Sequence, residues 1–163
     1  MKLGKRLRAA AALLLSAVML LWTGLPVTAA YENTHNNTGK PSQDILAAAE
    51  SQLGYTTPAD GAKYNRWYGA VNGNYTYSWC QTFLSWCAEQ AEIGTDVFPK
   101  AVSVASAYAA FAGQKRYQKS AAQGGSYTPR AGDVAFYSEN GDADALSHVG
   151  LVTGAEKRHT VYH

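Results

Sequence analysis

Cysteine is scarce in this chain, and the two present, Cys80 and Cys87, stand seven residues apart in "YSWCQTFLSWCAEQ". Structural zinc takes cysteines two to four positions apart with a second matching pair. That second pair is missing and the histidines are scattered, which argues against a metal. Calcium fares no better: Glu139, Asn140, Asp142 and Asp144 fall short of the ligand count and terminal glutamate of a dedicated loop, leaving a solvated acidic loop. No metal is expected. The chain also lacks a basic stripe, the electrostatic footprint of a nucleic-acid binder.

Charge is absent from one long stretch. After Lys2, Lys5, Arg6 and Arg8 no charged residue occurs before Glu32; the apolar run Ala9 to Trp22 is followed by Gly24, Pro26 and the small-residue exit "VTAA". This is the layout of a secretory signal peptide, with cleavage expected after Ala29 or Ala30. The rival, an uncleaved membrane anchor, is disfavoured because Gly24 and Pro26 interrupt the run early. The domain reading is thus a signal peptide over 1–30, a flexible polar segment over 31–41 and one domain over 42–163. Without the leader's four basic residues, the fourteen Lys and Arg fall to ten against twelve Asp and Glu, so the charge turns from +2 to −2. About 133 residues remain, enough for one core and too few for two. The expectation is a secreted monomer, extracellular or cell-wall associated, with no membrane contact once the leader is gone.

Export invites a disulfide, but the local pattern opposes it. Phe83, Leu84, Cys87, Ala88 and Ala91 recur at helical spacing, with Ser78 as a candidate cap and Gly94 as a stop. Seven helical residues rise roughly 10 Å, beyond the roughly 7 Å that bridged Cα atoms allow. Cys87 falls on the apolar stripe, where a thiol acts as a small hydrophobe. Cys80 falls in the first turn, where free N–H groups and the helix dipole favour a thiolate. A nucleophilic thiol needs a base. His35 reads as a flexible tail residue, His159 lies in a charged turn and His163 is the last residue. His148 opens the strand-like run "HVGLV" after a loop, a junction that suits a catalytic side chain and equally a structural one.

The remaining pattern is α+β. A helix is expected from about Ser42 to Leu53, with Ile45, Leu46, Ala49 and Leu53 on one face and Gly54 closing it, and another from about Val104 to Ala112, stopped by Gly113. Between them lie aromatic-rich loops, "KYNRWYG" and "NGNYTYSW". Strands follow at Asp133 to Tyr137, at "HVGLVTG" and at "TVYH". Helices precede strands, so N-terminal helices packed on a small antiparallel sheet are expected.

In this order of elements the chain resembles the CHAP family of cysteine, histidine-dependent amidohydrolases and peptidases, within the papain-like NlpC/P60 group. The resemblance is carried by "ILAAAESQLGY", "KYNRWYG", "WCQTFLSWCAEQAEIG", "VFPKAVSVAS", "TPRAGDVAFY" and "SHVGLVTG". It implies Cys80 as nucleophile, His148 as base, no cofactor, and peptidoglycan as partner, cut either between muramic acid and the first alanine or within its peptides. Backbone N–H groups of the Cys80 helix would hold part of the oxyanion. Gln81 is turned about 100° from Cys80 by helical geometry and reads as a surface or packing residue. The residue that orients the histidine in the family would fall a few positions after His163, so the C-terminal strands are read as missing, from a fragment or a truncated protein. Of the aromatics before Cys80, Trp79, Tyr77 and Trp67 are the candidates for substrate binding, although at least half of the group reads as core. The alternatives are an inactive cell-surface binding module of the same fold and a thiol acyltransferase.

Overall fold

The computed structural model of the chain describes residues 35–138, 142 and 145–154. The leader over 1–30, Glu139, Asn140, Asp144, His159, His163 and the strand expected at "TVYH" lie outside these residues. The described elements run α1 (Pro41–Glu50), α2 (Lys63–Tyr68), α3 (Cys80–Gln90), α4 (Val104–Gly113), a short 3-10 turn (Ala121–Gln123), β1 (Val134–Ser138) and β2 (Leu146–Leu151). The α+β order, helices first and an antiparallel pair after, is as expected.

Helix α1 begins on Pro41, whose fixed φ suits a first turn. Its N-terminus is closed by Asp44, which is buried and accepts from the Lys40 N–H at 3.0 Å, the Thr38 N–H at 3.0 Å and the Thr38 hydroxyl at 2.8 Å. The same carboxylate lies 3.1 Å from His35 Nε2, and Asn37 donates to the Gln90 carbonyl at 2.9 Å. The described part of the polar segment is therefore tied down, and His35 is no loose tail residue. At the other end the helix stops at Glu50, and Leu53, expected on the apolar face, is 65% exposed in the turn beyond.

"KYNRWYG" forms the helix α2 where a loop was expected. Six residues are too few to display a period; what fixes them is burial of Tyr64 and Asn65. The Tyr64 ring meets Tyr55, Trp79, Phe83 and Trp86 at centroid distances of 5.2, 5.4, 4.9 and 5.4 Å; of the aromatics before Cys80, Tyr64 is core and Trp67 and Trp79 pack partly buried against it.

Helix α3 is the centre of the domain. Every residue from Gln81 to Ala88 is buried, because α1, α2, α4 and β2 all pack on it. It ends in a Schellman arrangement: the Ile93 N–H donates to Ala88 O at 2.9 Å and the Glu92 N–H to Glu89 O at 3.0 Å. Glu92 takes the left-handed conformation, φ 54°, so the stop is Glu92 and not Gly94. Helix α4 starts on a reciprocal Ser103–Ser106 capping box and ends the same way, with Lys115 at φ 58°. Gly113 is its last turn, not its stop.

In the hairpin, Val134 faces Leu151, Phe136 faces Val149, Ala135 faces Gly150 and Tyr137 faces His148. Alternation puts Val134, Phe136, Val149 and Leu151 on one face, and Phe136 packs on Tyr108 and Phe111 of α4. The turn entering β1 needs Gly132. Its φ is +90°, and a Cβ there would lie 2.6 Å from Ser42 Cβ and 2.9 Å from Ser42 O.

Candidate active site

Cys80 is the first residue of α3, half-buried and unbridged. A helix start leaves its first N–H groups without intrahelical acceptors. Trp79 occupies the N-cap and its side chain makes no capping bond, so no N-cap side chain takes up the first-turn N–H groups. Ser78 is not the cap; its hydroxyl lies 3.7 Å from Cys80 Sγ, within reach of a weak hydrogen bond.

Cys87, two turns on, is fully buried. Burial pushes its thiol well above the ordinary value, and the nearby Lys63 ammonium offsets this only in part. The two thiols thus occupy different surroundings, as their helical positions predicted, and Cys87 belongs to the core.

The strand residue His148 is half-buried and stands directly across from Tyr137. Since β2 packs on α3, the helix that opens with Cys80 and the strand that carries His148 form one packed pair.

Sequence reasoning missed the residue that fixes the approach to Cys80. Asn65, fully buried in α2, donates to the carbonyls of Tyr75 at 2.8 Å and Tyr77 at 2.7 Å, and accepts from the Thr82 hydroxyl at 2.6 Å. One amide thereby ties α2, the loop before Cys80 and the first turn of α3. The signal was weak: a single Asn between aromatics in "YNRW" is legible only once that segment is known to be a helix facing inward.

The three aromatic candidates separate. Trp79 packs on Tyr55, Tyr64 and Phe83 at 6.0, 5.4 and 5.9 Å, beside Cys80 in sequence. With Leu53, Tyr55, Tyr64 and Phe83 it lines a hollow of about 90 Å³. Tyr77 spends its hydroxyl on Gly69 O at 2.6 Å, and burial raises its pKa. Trp67 donates its indole N–H to Glu89 at 2.9 Å and lies under Lys100 Nζ at 4.0 Å. Glu89 is nine residues past Cys80, roughly 13 Å along the axis, so Trp67 is anchored towards the far end of α3. A larger hollow of about 600 Å³, lined by Gln118, Tyr127, Arg130 and Gly154 among others, lies at the other end of the hairpin from His148.

Gln81, read as surface or packing, is 1% exposed. Its Nε2 donates to Ser85 Oγ at 3.2 Å, and its Oε1 is the one buried side-chain oxygen or nitrogen without a hydrogen-bond partner among the described residues.

A family model, that of the CHAP domain, matches residues 71–163, more than half of the chain. The chain belongs to the CHAP domain family. Neither the comparison with curated proteins nor that with solved structures finds a match. The matched span takes in α3, α4 and both strands. It begins after α2, so Asn65 lies outside it although its bonds reach in. CHAP domains are hydrolase-like, of the amidase or peptidase type, and act on peptidoglycan.

Proposed function

We propose that this CHAP domain is a secreted cysteine hydrolase that cleaves an amide of peptidoglycan through an acyl-enzyme, with Cys80 as nucleophile and His148 as base. The observation that carries the reading is a free, half-buried cysteine opening a helix with no side-chain cap, on the element packed against the His148 strand. His148 takes the Cys80 proton, the thiolate attacks the scissile carbonyl, and the C–N bond breaks as His148 returns a proton to the leaving amine. Water then attacks the thioester and regenerates the thiol. First-turn N–H groups of α3 supply part of the oxyanion stabilisation. The apolar leader supports export, and the aromatic wall beside Trp79 suits a sugar face or a stem peptide.

The test is incubation of the full chain with purified cell wall, followed by amine quantitation and mass spectrometry of the soluble fragments. A new alanine N-terminus marks cleavage at muramic acid, and a new peptide N-terminus marks cleavage within the stem or bridge. Release of no new amine sinks the hydrolase reading and leaves the binding module.

A further inference from the structure

Tyr137 has no part in the chemistry above, yet it is the residue set against the histidine. The two are direct cross-strand partners, so their side chains leave the same face of the hairpin. Their ring centroids lie 5.9 Å apart with planes inclined by 35°, a tilted contact. Tyr137 is 36% exposed, so its ring touches the imidazole while remaining partly open to solvent. Burial raises the phenol's pKa, so the ring stays neutral wherever an imidazole titrates.

An aromatic face this close acts on an imidazole in two ways. It blocks swings of the ring towards that side, and its negative quadrupole favours the charged form over the neutral one. Both matter for a base that must carry a proton between thiol and amine. We infer that Tyr137 is a positioning residue for His148: its ring fixes the plane of the imidazole and favours the imidazolium that protonates the leaving amine. The functional half rests on the hydrolase reading; the ring contact does not.

Among the described residues, the elements packed on β2 and the connection before it carry further titratable groups. Helix α3 carries Cys80 at its first residue and Glu89 near its last turn. Helix α4 brings Tyr108, whose ring meets Phe136 on the opposite face of the hairpin. The connection before β2 brings the exposed Asp142, whose carboxylate would favour the imidazolium as well and must be separated from the ring's effect.

The deciding experiment is an NMR pH titration of the His148 imidazole in the full chain, assigned by its loss in His148→Ala, for wild type, Tyr137→Phe and Tyr137→Leu. The Phe variant keeps the ring and is expected to titrate with the wild type. The Leu variant keeps apolar bulk without the quadrupole, and its midpoint is expected to fall by roughly half a pH unit, the size of a partly exposed cation–π contact. The same shift is expected in an Asp142→Asn background. In parallel, the basic limb of kcat/KM against pH moves down in the Leu variant and kcat drops several-fold with KM unchanged. An unshifted Leu variant, or a shift that vanishes with Asp142→Asn, overturns the inference. Should Tyr137→Leu not fold, Tyr137→Ile, a better strand former, reads the same quantity. The titration needs no turnover, so absence of cleavage in the wild type would defeat the hydrolase reading while the midpoint still decides the ring contact.

Discussion

Asn65 and Thr82 meet at 2.6 Å, the hydroxyl of α3 donating to the buried amide oxygen of α2. The same amide holds two carbonyls of the loop that leads into Cys80. Replacing it with Leu takes the donor from two part-buried carbonyls and leaves the Thr82 hydroxyl with only the Trp79 carbonyl at 3.1 Å. Asn65→Leu is expected to cost on the order of 3 kcal/mol of stability, read by denaturant unfolding. Asn65→Asp keeps the acceptor for Thr82 but turns a buried carboxylate oxygen towards the Tyr75 and Tyr77 carbonyls, so it is expected to be no more stable than Leu. Equal stability of all three proteins would contradict the clamp.

The two thiols should differ in access. Cys80 is half-buried at a helix start, and Cys87 is fully buried with its thiol held protonated by burial. Treatment of the native chain with an alkylating reagent is expected to modify Cys80 alone, with Cys87 reacting only on unfolding. Cys87→Ala is expected to cost about 1 kcal/mol, as loss of a small buried side chain does. Modification of Cys87 before Cys80 would reverse the assignment.

Acid should loosen the start of α1. Burial works to raise the Asp44 pKa, but the Thr38 N–H and hydroxyl, His35 and the Lys40 N–H outweigh it and hold the group at about 2, against 3.8 for the free side chain. A carboxyl depressed by folding binds its proton more readily in the unfolded chain. Its contribution is thus complete above 3.8 and lost as pH falls towards 2. Stability measured between pH 5 and 2 is expected to decline, with a shallower decline in Asp44→Asn. Parallel slopes would contradict this.

Gly132 is required twice, by its positive φ and by the missing Cβ against Ser42. Gly132→Ala is expected to cost roughly 2–4 kcal/mol, strain and overlap together. Gly54 has a positive φ of 84° with open space around it, so Gly54→Ala is expected to cost less. A thermal-melt comparison of the two variants checks the order.

The helices α3 and α4 and both strands were legible because each is long enough to display its period: Phe83, Leu84, Cys87 and Ala88 for the helix, Val149 and Leu151 for the strand. Helix α2 was not, since it is made by the burial of Tyr64 and Asn65 rather than by a pattern. Helix stops were misread where Glu92 and Lys115 adopt the left-handed turn that glycine usually takes; the glycines at 94 and 113 were decoys. His35 looked loose because its partner, Asp44, lies nine residues on, beyond any local rule. Cys80 was legible from its place at the helix start. What sequence alone hid was the contacts of Asn65 with the loop before Cys80 and of Tyr137 with His148, which no spacing encodes.

Amine release from purified peptidoglycan by wild type, Cys80→Ala and Cys87→Ala, each verified as folded, tests the central claim most directly. Cys87→Ala should release amine as the wild type does, and Cys80→Ala should release none. Sustained release by a folded Cys80→Ala would contradict the account.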